Sequence, residues 1–245
     1  TISAEVMNDP KTKLSKSSEI THGFAERKVG GRIMKVGNDR QYQVRGGLYP
    51  WRFAGINSGN TTLHFRWEDT LPCTWSTQDA KAAGDSCDKP TMVSPYRFTV
   101  FSKSGYEENG GWTLEYWTNK GNHETVNYTK TTGLTLPDGE WITRFTIDTD
   151  AAPQTSPQAW LHGTAPADLP TTEPADFASH YNPVLPPEKY YNYVASPDYV
   201  RFQNCATGTV TDKDTGTVVT SSDELCSWMR VRDEFPSVQA YKVVR

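Results

Sequence analysis

Between residues 31 and 148 the chain alternates: aromatic and β-branched residues recur at every second position, and Gly, Asn, Asp and Pro break the runs. A period of two lets one side of an extended strand face a core while the other meets solvent, and no single helical stripe has that spacing. The clearest run is Leu63-His64-Phe65-Arg66-Trp67-Glu68-Asp69, which puts Leu63, Phe65 and Trp67 on one side and His64, Arg66 and Glu68 on the other. Tyr96 to Phe101, Trp112 to Trp117 and Trp141 to Asp148 repeat the pattern; the turn-like Glu107 to Gly111 and Pro137-Asp138-Gly139 precede the last two. No stretch of twelve residues carries a capped i, i+3, i+4, i+7 apolar stripe, so helices are expected to be few and short, with one turn near Thr77 to Ala83. The expected fold is all-β, an antiparallel β-sandwich or jelly roll, and doubly wound α/β folds and helical bundles are excluded.

Proline modulates this expectation. Residues 151–187 carry Pro153, Pro157, Pro166, Pro170, Pro174, Pro183, Pro186 and Pro187 and few β-branched residues. Each proline removes a ladder donor, so the segment is expected as a long ordered loop wrapped over the sheet, with Trp160, Phe177 and Tyr181 anchoring it. Strands resume near Tyr190 to Phe202, and Ala206 to Val210 with Thr217 to Ser221 read as a hairpin around Asp212 to Gly216. The first 30 residues hold Ser, Lys and Thr with few apolar anchors and are expected as an N-terminal arm free to move, ahead of one sandwich domain over 31–245.

The four cysteines, Cys73, Cys87, Cys205 and Cys226, form no Cys-x-x-Cys and have no histidine pair nearby, which disfavours zinc. Three pairings exist; the two short-range ones close loops of about 14 and 21 residues, each worth about 3 kcal/mol. Disulfides persist in oxidising compartments, and the chain opens on Thr1 with no basic-then-apolar leader, which fits a secreted protein whose signal peptide has been removed. No run of about 18 apolar residues exists to span a membrane.

Charge is unevenly placed. Residues 1–66 hold eleven Lys or Arg against five Asp or Glu, whereas 136–200 hold two against nine, so a basic face could gather an anionic ligand although the net charge is −4. With a pI of about 5.8 and no recognisable module, nucleic acid is a poor partner. The row His64/Arg66/Glu68 suits a polar ligand in a groove: a guanidinium can clamp a carboxylate through paired donors, an imidazole can move a proton near neutral pH, and a carboxylate can orient either. Tyr116, Lys120, His123 and Tyr128 crowd one strand–turn–strand unit with further proton-transfer groups.

The Arg66-x-Glu68 strand, Gly139-Glu140-Trp141 opening a strand with Phe145-Thr146-Ile147, and Ala159-Trp160-Leu161-His162-Gly163 resemble the layout of concanavalin-type jelly-roll polysaccharide lyases. Only Arg66 and Glu68 match by position; the Gln-x-His and Tyr-x-Lys-x-Gly-x-Tyr strands of the alginate-lyase branch are missing. The resemblance implies a secreted enzyme that depolymerises a uronate-containing polysaccharide by β-elimination. Arg66 would sit on the uronate and Glu68 would orient it; the family's catalytic base does not carry over, and among the residues present His64, Tyr116, His123 and Tyr128 are the expected proton carriers and Arg45, Trp117, Lys120 and Trp160 the expected substrate contacts.

The alternative is a glycan-binding protein, a lectin or adhesin. Eight tryptophans are many for 245 residues, and an exposed indole offers an apolar platform to sugar faces. Trp67 and Trp141 are assigned to the core, whereas Trp51, Trp75, Trp112, Trp117, Trp160 and Trp228 cannot all belong there. Neither reading needs a cofactor, though Asp148/Asp150 and Asp212/Asp214 could supply oxygen ligands to a structural calcium ion. The polysaccharide is the expected partner and the protein is expected as a monomer.

Overall fold

The computed structural model describes residues 2–5, 13–16, 26–36, 42–72, 90–101, 111–128, 132–169, 193–195 and 200–232. In chain order the strands are β1 (Ile2–Glu5), β2 (Lys13–Lys16), β3 (Gly31–Val36), β4 (Tyr42–Val44), β5 (Leu48–Asn57), β6 (Leu63–Thr70), β7 (Val93–Phe101) and β8 (Trp112–Thr118). They continue with β9 (His123–Tyr128), β10 (Thr132–Leu134), β11 (Ile142–Ala151), β12 (Gln158–Thr164), β13 (Tyr193–Ala195), β14 (Val200–Asp212) and β15 (Val218–Arg232). Among the described residues there is no helix, and the fold is all-β as the alternation predicts.

β1 and β2 pair with each other. The rest form two sheets, one of five strands in the order β10-β7-β12-β5-β3 and one of eight in the order β4-β15-β14-β6-β11-β8-β9 with β13 beside β14. The pairings are antiparallel except that of β15 with β4. Stacked as a sandwich, the sheets bury the apolar side of each strand. From the larger sheet come Leu63, Phe65 and Trp67 of β6, Trp112, Leu114 and Tyr116 of β8, and Phe145 and Ile147 of β11; from the smaller come Tyr49, Trp51 and Phe53 of β5, Phe98 of β7 and Leu161 of β12. Aromatic rings bridge the layers, Phe53 meeting Phe145 edge-on at 5.6 Å between centroids, and within the larger sheet Trp67 stacks on Trp112 at 6.2 Å. Such pairs add about 0.5–1.5 kcal/mol each beyond burial. Close approach is needed where Gly55 passes Phe65, since a Cβ at residue 55 would lie 2.5 Å from the Phe65 ring.

One core position is ionic. Parity along β6 carries Asp69 onto the apolar side with Trp67, and Lys35 of β3 reaches it across the sandwich, Nζ to Oδ2 2.6 Å, with both side chains fully buried. Asn204 of β14 donates to the same Oδ2 at 3.2 Å, and the Lys35 ammonium lies 4.8 Å from the Trp51 ring and 5.4 Å from the Phe53 ring.

The C-terminal hairpin is longer than its sequence signal, running from Val200 to Arg232 with Cys205 directly opposite Cys226. These two form a disulfide, as the short-range pairing predicts. Cys73 and Cys87 lie outside the described residues, as do the turn predicted near Thr77 to Ala83, Trp75 and residues 170–187.

Two expectations need correction. The proline-rich segment is not all loop: Gln158 to Thr164 form β12, an interior strand between β7 and β5. Pro153, Pro157 and Pro166 flank the strand rather than interrupt it, so its ladder donors survive. Residues 26–30, assigned to the arm, are tied to the sandwich. Asn60 N–H donates to the Lys28 carbonyl at 2.8 Å, and Arg27 reaches both carboxylate oxygens of Asp212 at 2.6 Å.

Candidate binding face

The outward side of the eight-stranded sheet is a grid fixed by strand register. β11 lies between β6 and β8, so His64 stands opposite Asp150, Arg66 opposite Asp148 and Glu68 opposite Thr146; on the other side Thr146 meets Glu115 and Arg144 meets Trp117. β14 adds Thr207, Thr209 and Thr211 beside Glu68, Arg66 and His64. The row predicted from β6 is therefore real, and it is flanked by partners from other strands.

Those partners compensate its charge. Arg66 donates through Nε to Glu68 at 2.8 Å and through Nη1 to both oxygens of Asp148 at 3.2 and 2.9 Å. His64 bridges two carboxylates, Nε2 to Asp148 at 3.1 Å and Nδ1 to Asp150 at 3.0 Å. The Asp148 carboxylate, assisted by Asp150, holds the imidazole above its ordinary value against the effect of burial. Although burial alone would push Asp150 up, Lys213 and His64 keep it below the ordinary carboxylate range. Asp212 and Asp214 meet a protein cation too: Arg27 reaches Asp212, and the N–H groups of Asp214 and Thr215 donate to it. Both aspartate pairs considered for calcium thus hold protein cations or amides. Glu224 lies beside Cys226, but that sulfur is already bound to Cys205.

Beside the row, Trp117 is clasped between strands. The Arg144 guanidinium lies 4.2 Å from its ring on β11, and the His123 imidazole stacks at 4.5 Å on β9. His123 shares a 2.6 Å hydrogen bond with Glu115, whose other oxygen accepts from Thr146 at 3.3 Å. A cleft of about 440 Å³ opens here, lined by Arg66, Glu68, Glu115, Trp117, Arg144 and Thr207 among others.

The remaining predicted site residues fall elsewhere. Tyr116 is 4% exposed on the core side of β8, because parity with Trp112 and Leu114 turns it away from the row, so it cannot exchange protons there. Trp160 sits on the outside of the other sheet with Arg52 4.1 Å from its ring, a whole sandwich away from Arg66. Arg45 lies in the turn after β4, its N–H on the Arg232 carbonyl, at the far edge of the larger sheet. Lys120 occupies the exposed β8–β9 turn. Tyr128 is at the end of β9, paired through its backbone with Trp112, and its side chain lies outside the described residues. Among the tryptophans, Trp51 and Trp112 join Trp67 in the core, whereas Trp141 is only half-buried and lines a second cavity of about 580 Å³ with Pro90, Pro95, Pro137 and Pro166.

Sequence reasoning missed Arg144, Glu115 and Thr146 as members of the face and Asp148 as the partner of Arg66. Parity within β8 and β11 could have placed the first three; Asp148 needed the register of β6 against β11.

No family model matches the chain, and no curated protein matches it. Solved structures similar to it include the ASH/PapD-like domain of human CEP192 (PapD-like domain 7), at 8% identity and TM-score 0.31 over 93% of this chain and 100% of that one. Another is AvmM, described as catalysing macrocyclization in alchivemycin A biosynthesis, at 8% identity and TM-score 0.28 over 87% of this chain and 93% of the other. Likeness at that level bears on neither activity nor ligand.

Proposed function

We propose that the protein is an extracellular binding module that holds a glycan on the outer face of its eight-stranded sheet without cleaving it. The observation that carries this reading is the mutual engagement of the groups an elimination would need. Arg66 is spent on Glu68 and Asp148, His64 on Asp148 and Asp150, and Tyr116 is in the core. A uronate would have to break two ion pairs to reach the guanidinium. What remains is a mixed-charge, threonine-rich face with a cleft beside Trp117, suited to hydroxyl-rich ligands that exchange hydrogen bonds with paired side chains. The Cys205–Cys226 disulfide supports an oxidising compartment, and no helix among the described residues is long and apolar enough to cross a membrane.

The test is a panel of neutral and uronate-containing polysaccharides offered to the protein and to a Trp117→Ala variant. Affinity electrophoresis reads binding, and absorbance at the unsaturated-uronate band reads cleavage. Retardation that weakens at least tenfold in the variant, with flat absorbance, is expected. Rising absorbance would restore the lyase reading, and no retardation on any glycan would remove both.

A further inference from the structure

Lys35, Asp69 and Asn204 meet in the middle of the sandwich with the makings of a reaction. Lys35 comes from the smaller sheet, and Asp69 and Asn204 come from neighbouring strands of the larger one. One oxygen, Asp69 Oδ2, is shared by the amine at 2.6 Å and by the Asn204 amide nitrogen at 3.2 Å. Trp51 and Phe53 wall the amine off. Asn204 Oδ1 is buried with no hydrogen-bond partner, and so is Oγ of Ser227, which stands opposite Asn204 on β15. Buried acceptors are seldom left so. Nor does stability account for the ion pair, since well-packed apolar residues in place of a buried pair are often neutral or stabilising.

We propose that this trio is a self-modification site: Lys35 and Asn204 join through an intramolecular isopeptide bond, and Asp69 relays the protons. In so dry a setting the ammonium can pass a proton to the Asp69 carboxylate, leaving a neutral amine, which is the nucleophilic form of lysine. Once its carboxyl is protonated, Asp69 no longer favours the amide nitrogen; a half-turn of the Asn204 amide brings the unpartnered Oδ1 to it, and Asp69 donates to that oxygen and polarises the carbonyl. The amine attacks Cγ of Asn204, forming the Nζ–Cγ bond. Asp69 then takes a proton from the attacking nitrogen and returns protons to the amide nitrogen. The Cγ–Nδ2 bond breaks, and ammonia leaves as ammonium with the proton that Lys35 carried. Nothing is oxidised or reduced, Asp69 ends as it began, and no co-reactant is consumed. Proximity and exclusion of water favour the amide over hydrolysis. The product would tie β3 to β14 across the core.

The test is mass spectrometry of the full-length chain after disulfide reduction and alkylation. The intact protein is expected one ammonia lighter than its sequence. Its tryptic digest is expected to contain residues 33–40, uncut after Lys35, joined to residues 202–213. Lys35→Met, Asp69→Ala and Asn204→Ala chains are expected at full mass and with linear peptides; as the measurement is made on denatured chains, it does not depend on how well they fold. A wild-type chain at full sequence mass overturns the proposal. So does loss of ammonia without the joined peptide, as a succinimide at Asn109-Gly110 would give. Loss of water with Lys35 joined to Asp69 overturns the assignment of Asn204 as acceptor, and an Asp69→Ala chain that still cross-links overturns the relay.

Discussion

Arg66 and Asp148 face each other across β6 and β11, the guanidinium Nη1 lying 3.2 and 2.9 Å from the two carboxylate oxygens. That pairing turns what reads in one strand as an open clamp for an anion into a closed one.

Asp148 holds both Arg66 and His64, so Asp148→Asn removes one charge from two contacts. Arg66 is 39% exposed and the pair is partly screened, so the loss is expected at about 1 kcal/mol. Urea unfolding checks this; a loss above about 3 kcal/mol would mark the pair as far better shielded than its exposure indicates.

His64 makes stability depend on pH in a definite direction. Its folded value is raised above the ordinary 6.5, first by the hydrogen bond to Asp148. Protonation is thus tighter in the folded chain, and the contribution is fully present below the unfolded value of about 6.5 and fades as pH rises through the higher folded value. Comparing the melting temperature of the wild type with that of His64→Gln should show a gap at pH 5.5 that narrows by pH 9. A gap of constant size would mean that packing, not charge, carries the effect.

Replacing Cys205 and Cys226 together by serine frees a loop with a sequence separation of 21. The expected loss is about 3 kcal/mol from the unfolded chain's regained entropy. Guanidinium unfolding of the double variant reads it, and an unchanged midpoint would show that the hairpin is already restrained in the unfolded ensemble.

At Gly55 any side chain must displace Phe65, because a Cβ there would sit 2.5 Å from the ring. Gly55→Ala is expected to cost about 1–3 kcal/mol by overpacking. A Phe65→Leu change in the same chain should recover part of it, and failure to recover would place the strain elsewhere.

Much of this architecture is legible in local pattern, and what is not has a common cause. Alternation in Leu63 to Asp69 assigns both sides of β6 correctly, and the short-range spacing of Cys205 and Cys226 yields their bridge. The same parity carries Asp69 into the core and Tyr116 away from the row, although Tyr116 lies close in sequence to His123. β12 is hard to see in the sequence because prolines are dense around it, yet Pro153, Pro157 and Pro166 stand outside the strand and leave its ladder donors intact. The Asp148 and Asp150 partners, and Lys35 against Asp69, depend on pairings between strands distant in the chain. No local window holds that register.

Asn204 and Cys205 are consecutive on β14, and their side chains leave its two opposite faces, one toward Lys35's partner Asp69 and the other toward Cys226. A chain pulled from both ends transmits tension through the disulfide and bypasses the hairpin tip between Cys205 and Cys226. Those roughly 20 residues cannot lengthen, so full extension of a single molecule should fall short by about 70 Å relative to the reduced protein. The bridge makes the tip a compartment that load does not enter.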